Sequence, residues 1–219
     1  NGPPQLEATE LSEVHLVPLQ QALQMARDGR ITDADSALVL LRCEPILAGV
    51  GRRIEVVPYD PAWPALYRAE AASLAALLGD ELVAIHHIGS TSVPGLPAKP
   101  IVDILPVVRE IQRVDARNDL LLAAGYVPKG ENGIPGRRYF SKDGGGLRRV
   151  HVHAFAAGHP EVARHLNFAA YLRAHPDAAA AYAELKRELA QRFPNDTASY
   201  TDAKSAFIRA IDEKARRDA

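Results

Sequence analysis

His86-His87-Ile88-Gly89-Ser90-Thr91-Ser92-Val93-Pro94-Gly95-Leu96-Pro97-Ala98-Lys99-Pro100-Ile101-Val102-Asp103-Ile104-Leu105 begins inside an apolar run, Leu82 to Ile88, that predicts a buried strand. Gly89-Ser90 ends the run, and a turn-rich loop with three prolines and a second glycine follows. Ile101 to Val108 predicts a second strand with a lone carboxylate, Asp103, inside it. Strand, Gly-Ser turn, loop and Asp-bearing strand is the layout of a phosphate site. Gly89 permits close backbone approach. Nearby N–H groups and the hydroxyls of Ser90, Thr91 and Ser92 can bond phosphate oxygens. Lys99 adds positive charge, and Asp103 is a candidate ligand for a divalent metal. The same pattern also describes a proline-stiffened connector with an incidental Asp, since short Gly-Ser motifs are common.

Outward from this stretch, strands and helices interleave. Before it, Ile54 to Val57 predicts a strand, and Ala62 to Leu78 a helix with Leu66, Leu74, Leu77 and Leu78 at helical spacing. Trp63 reads as core. After it, Ile111 to Ala124 predicts a helix closed by Gly125, and Tyr126-Val127 a short strand. Arg138 to Ser141 and Leu147 to Phe155, joined through Asp143-Gly144-Gly145-Gly146, predict a hairpin. The remainder is helical, with breaks at His175-Pro176 and Pro194-Asn195-Asp196. The expected class is α/β (α+β): a mixed β-sheet flanked by helices, with a helical C-terminal part and a small N-terminal extension.

A chain of 219 residues, 47% apolar and 24% charged, has the composition of a soluble globular protein. A net charge of −1 gives no electrostatic case for nucleic acid as the main partner. One cysteine, Cys43, excludes an internal disulfide and a multi-cysteine metal cage, which suits a cytoplasmic location. No apolar run is long enough for a membrane span. Residues 1–50 read as a separate extension: a short strand at Val14 to Val17, a helix from Leu19 to Arg27, and a second helix capped by Thr32 or Asp33.

Residues 53 to the end resemble the GrpB family, whose fold is nucleotidyltransferase-like. The resemblance rests on Val57-Pro58-Tyr59-Asp60-Pro61-Ala62-Trp63, the Gly89–Leu96 loop and Lys99-Pro100-Ile101-Val102-Asp103. It continues through Arg148-Arg149-Val150-His151-Val152-His153, His165-Leu166-Asn167-Phe168 and Tyr171-Leu172-Arg173. Residues 5–45 more weakly resemble the C-terminal tail of Nudix hydrolases of the ADP-ribose pyrophosphatase kind. The clustered glutamates of the Nudix catalytic helix are absent from this chain, so no Nudix activity is carried over.

The nucleotidyltransferase resemblance implies Gly-Ser on a loop, two carboxylates at i and i+2 of the next strand and a third acid on a neighbouring strand, holding two metals. Here Gly89, Ser90 and Asp103 are kept, but position i+2 is Leu105, and the neighbouring strand offers His151 and His153. Those histidines share a strand face. With Asp103, and with His87 as a fourth candidate, they could hold one Mg, Mn or Zn ion, or simply bond polar neighbours. Arg138 is the candidate for bidentate phosphate contact, while Lys186 and Lys204 read as solvated.

The function expected is a nucleotide- or phosphate-binding domain for a small phosphorylated molecule, with Asp103 central to any nucleotidyl or phosphoryl transfer. Two alternatives stand beside it. One is a non-catalytic regulatory or chaperone-like module beside a nucleotide-metabolising enzyme. The other is a mononuclear metal hydrolase using Asp103, His151 and His153.

Overall fold

The computed structural model describes residues 19–47, 53–144 and 147–218. The chain divides into two compact units, Asn1–Arg52 and Arg53–Ala219. In the first, α1 (Leu19–Arg27) buries Leu23 and Ala26. The second helix, α2 (Ala34–Leu47), is capped by Asp33, whose Oδ2 accepts the Ser36 N–H at 2.8 Å. The strand expected at Val14 to Val17 lies outside the described residues.

The second unit opens without the strand expected at Ile54 to Val57. Val57 instead makes a single bridge to Ala98, with bonds of 2.9 and 3.0 Å in the two directions. Proline near the N-terminus of α3 (Trp63–Leu78) suits its first turn, where the missing N–H is not needed. Trp63, Ala71, Leu74 and Leu78 fall on one stripe of this helix and are buried. The strands that follow are β1 (Leu82–Ile88) and β2 (Val102–Val108). The expected helix at 111–124 is two short ones, α4 (Ile111–Asp115) and α5 (Asn118–Ala123). Then come β3 (Val127–Pro128), β4 (Arg138–Gly144) and β5 (Leu147–Ala156). Four helices complete the unit: α6 (Pro160–Ala174), α7 (Pro176–Arg192), α8 (Thr197–Ala203) and α9 (Ser205–Arg217). The result is a mixed α+β fold with a five-stranded sheet flanked by helices.

The sheet order is β1-β2-β5-β4-β3, with β2 and β5 parallel and the other pairs antiparallel. Alternation along β2 and β5 sends side chains to two different environments. Val102, Ile104 and Val108, with Val150, Val152 and Ala154, pack against Trp63, Leu74 and Leu78 of α3. Each such fully buried side chain contributes roughly 1.5–3 kcal/mol, so this face anchors the fold. The opposite face carries Leu105, Val107 and Phe155, which Val162 and Leu166 of α6 cover. Asp103, His151 and His153 share that second face, and they border a cavity instead of the α6 contact.

Candidate functional site

The cavity, about 620 Å³, is bounded by the ends of β2, β4 and β5, by the Gly89–Ser90 turn and by side chains of α6 to α9. That is within the roughly 300–1,000 Å³ typical of small-ligand sites.

Register builds its floor. Asp103 pairs across β2 and β5 with His151, so the two share a face, and alternation adds His153. Asp103 Oδ1 lies 3.3 Å from His151 Nδ1 and 3.4 Å from His153 Nε2. Burial would raise the Asp103 pKa, but the hydrogen bonds from His151 and His153 outweigh it and hold the carboxyl well below the usual range. Gly89 sits directly over this carboxylate. Its φ is +69°, and a Cβ at this position would overlap Asp103 Oδ2, so two independent constraints demand glycine.

The Gly-Ser loop is divided in its roles. Gly89, Ser90 and Thr91 border the cavity. Thr91 is buried, and its Oγ1 lies 3.0 Å from His87 Nε2. Ser92 donates to the Gly89 carbonyl at 2.7 Å and accepts from Arg173 at 3.2 Å. The Thr91 and Ser92 hydroxyls thus brace the loop from within the protein. His87 pairs in register with Ile104, on the other face from Asp103, and stacks on Tyr67 at 4.7 Å. Burial pushes its pKa down to about 4. It does not join the Asp103 cluster, because a residue next to Ile88 in a strand must point the opposite way.

Arg138 is likewise turned away. It forms a bidentate pair with Asp115 at 2.6 and 2.8 Å, and the cavity receives Arg137 in its place. The reason is again strand parity: Tyr139 is paired with His153, and Arg137 has the parity of Tyr139. Arg137 is buried and bonded to the Glu131 and Asn132 carbonyls at 3.0 and 2.5 Å. Its Nη1 lies 3.3 Å from His153 Nδ1.

Three further residues enter the cavity from the helices. His165 of α6 lies 5.6 Å from His153, ring to ring, and burial pushes its pKa down to about 3. Lys186 of α7 is buried, donates to the Pro97 carbonyl and lies over Tyr182 at 4.6 Å. Lys204, between α8 and α9, lies 4.3 Å over the Tyr200 ring that Lys99 also approaches, at 5.2 Å. A signal for both lysines exists in the sequence. Lys186 stands four residues after Tyr182 and three before Leu189, and Lys204 four after Tyr200 and four before Ile208, so each sits on an apolar stripe.

Among the described lining residues the cations are Lys99, Arg137, Arg164, Lys186 and Lys204, and the sole carboxylate is Asp103. Arg164 is neutralised by Glu161 and Asp212, at 2.7 and 3.3 Å. Burial, with Lys204 and Arg187 nearby, pushes Lys186 down to about 7. Burial and Lys99 push Lys204 down to about 8, with Asp103 opposing. Unfolded lysines titrate near 10.5. Between pH about 7 and 9, below the range in which tyrosines titrate, these two lysines therefore hold more protons in the unfolded chain than in the folded one, and stability rises with pH. Urea unfolding should show a rising midpoint over that window, with a smaller rise in Lys204→Met. A flat or falling curve contradicts the buried-lysine assignment.

Asp103, His151 and His153 each offer one ligand atom, all within 4.8 Å of one another. The spacing suits one cation, but the hydrogen bonding at His153 does not. A metal-bound imidazole normally donates its other N–H to an acceptor. Here the other nitrogen faces a guanidinium, which can only donate. His153 Nδ1 must accept, so the proton stands on Nε2, the atom that a metal beside Asp103 would need.

Fold and site together define a mixed α+β domain with a basic cavity floored by a carboxylate and two imidazoles. Comparison with known proteins gives it a family. Residues 53–214 match the GrpB protein family, and the chain belongs to that family. It is 46% identical over 166 residues to the UPF0157 protein YqkA of Bacillus subtilis, a match covering 76% of this chain and 48% of YqkA. A dephospho-CoA kinase of Mycolicibacterium paratuberculosis is 31% identical over 180 residues, covering 71% of this chain and 44% of that protein. The chain thus spans about half the length of these relatives. The crystal structure of conserved protein GrpB from Enterococcus faecalis matches with a TM-score of 0.71 and 41% identity, covering 75% of this chain and 98% of that one. Among the described residues, no helix is long and apolar enough to cross a membrane.

Proposed function

We propose that residues 53–219 form a domain that binds a small phosphorylated molecule or nucleotide in this cavity. The observation that carries the reading is the charge of the lining: apart from Arg164, which Glu161 and Asp212 neutralise, four basic side chains and one carboxylate border the cavity, in a chain whose net charge is −1. Desolvated lysines that repel one another raise the free energy of the empty site, and an anion between them offsets that cost. Gly89 and Ser90 border the same cavity beside Asp103.

A non-catalytic regulatory module is favoured over nucleotidyl transfer by one specific feature. The i+2 position of β2, where the family's nucleotidyltransferase-like fold implies a second acid, is the fully buried Leu105. That the matched segment also occurs within a longer protein named as a dephospho-CoA kinase suits a module beside a nucleotide enzyme.

A thermal-shift panel of inorganic phosphate and nucleoside mono-, di- and triphosphates tests the proposal, with and without Mg²⁺, Mn²⁺ and Zn²⁺. A ligand at 100 times its Kd stabilises the folded state by about 2.7 kcal/mol. Lys204→Met should raise the melting temperature of the free protein, by removing a buried repelling charge, and abolish the ligand-induced shift. A panel without any saturable shift would sink the reading.

A further inference from the structure

We infer that the cluster of Asp103, His151 and His153 works without a metal and receives a hydroxyl group of a phosphate ester, so that the ligand is a sugar phosphate or a nucleotide held at two poles. This inference rests on the phosphate reading above and gives that site its second pole.

Arg137 fixes the chemistry of the cluster. The guanidinium is anchored on the Glu131 and Asn132 carbonyls and lies over the Tyr139 ring at 5.0 Å, so it is not a mobile partner. Its Nη1 donates to His153 Nδ1. His153 therefore carries its proton on Nε2 and directs it to Asp103 Oδ1 at 3.4 Å. His151 approaches the same oxygen through Nδ1 at 3.3 Å. Oδ1 is thus engaged twice by imidazole donors. Oδ2 lies on the Gly89 side, and no hydrogen bond to it is formed among the described residues. The Asp103 side chain retains 27% exposure at the cavity.

An ionised carboxylate with one oxygen occupied and the other open is an acceptor for a ligand donor. A phosphate oxygen would be repelled there, whereas a hydroxyl fits. The phosphate belongs among the lysines of the helical wall, where the positive charge is. A divalent ion at Asp103 would have to displace the His153 proton against the Arg137 guanidinium, within a wall that already carries excess positive charge.

Three measurements test this on the intact chain. In ¹⁵N-histidine-labelled protein, His153 should show an unprotonated Nδ1 and a protonated Nε2; the opposite tautomer overturns the inference. Calorimetric titration of Zn²⁺ should give no one-to-one binding that depends on Asp103, while Arg137→Met should gain it, because His153 Nε2 is then released. One-to-one zinc binding by the wild type that Asp103→Ala abolishes overturns it, and zinc uptake unaffected by Asp103→Ala comes from other sites and supports it. In excess EDTA, ribose 5-phosphate should bind about tenfold or more tightly than inorganic phosphate, as a hydrogen bond to a charged group implies. Asp103→Ala should remove that preference while leaving phosphate binding. Binding of ribose 5-phosphate only when metal is added overturns this inference and leaves the phosphate reading standing. Absence of binding by either probe in every condition overturns the phosphate reading, and this one with it.

Discussion

Replacing Leu105 with Asp is expected to unfold the domain instead of restoring a second metal-binding carboxylate. Leu105 has the face of Asp103 and the i+2 spacing that a paired-acid site requires. Yet it is fully buried among Ile88, Val107 and Phe155, beneath Val162 and Leu166 of α6. Loss of a buried Leu side chain costs about 2–5 kcal/mol. An unpartnered carboxyl in that cluster adds several more, even if it takes up a proton. The sum approaches the whole stability of an ordinary domain, about 5–15 kcal/mol. Circular dichroism with urea titration should find little or no cooperative unfolding at 25 °C, and Leu105→Ala should fall between this variant and the wild type. A folded Leu105→Asp variant with metal-dependent transferase activity would show that α6 does not own this position.

Gly89→Ala is expected to weaken binding of phosphate esters about tenfold, to the level of inorganic phosphate, at a smaller stability loss. With φ +69° and ψ −173°, Gly89 occupies a region closed to other residues at about 1–3 kcal/mol. Its new Cβ would also drive the Asp103 carboxylate from its place between the imidazoles. Gly95 provides the control. Its φ is +78°, but a Cβ there meets nothing within 4 Å, so Gly95→Ala carries backbone strain alone. Thermal shift with ribose 5-phosphate and inorganic phosphate should separate the two: the preference for the ester is kept in Gly95→Ala and lost in Gly89→Ala, which is also the more destabilised because it adds the clash to the backbone strain. Wild-type binding by Gly89→Ala would remove Asp103 from the site.

These two residues differ in how visible their roles are. Gly89 is legible because a glycine ending an apolar run and followed by Ser90 is a local pattern with a local cause. The role of Leu105 is not, since its apolar nature is plain but the helix that covers it lies more than fifty residues away.

By itself, the sequence determined the elements whose limits depend on near neighbours. The run Leu82–Ile88 is a strand because its apolar residues end at Gly89. The helix Pro160–Ala174 starts with a proline in its first turn and stops before His175-Pro176. It also determined that His151 and His153 share a face, since alternation suffices for that, whereas the β2–β5 register that sets Asp103 beside them is tertiary. Tertiary structure decided which charged side chains meet them. Arg137 and Arg138 are equivalent in composition, and only the packing of the sheet says that the face of Arg137 borders the cavity while that of Arg138 meets Asp115. His87 and His165 exchange places for the same reason, the first drawn to Thr91 and Tyr67, the second carried to His153 by α6. Lys186 and Lys204 become part of the site because the stripes that bury Tyr182 and Tyr200 carry them inward. Periodicity fixes which residues of an element lie together, but only the docking of one element on another fixes what they face.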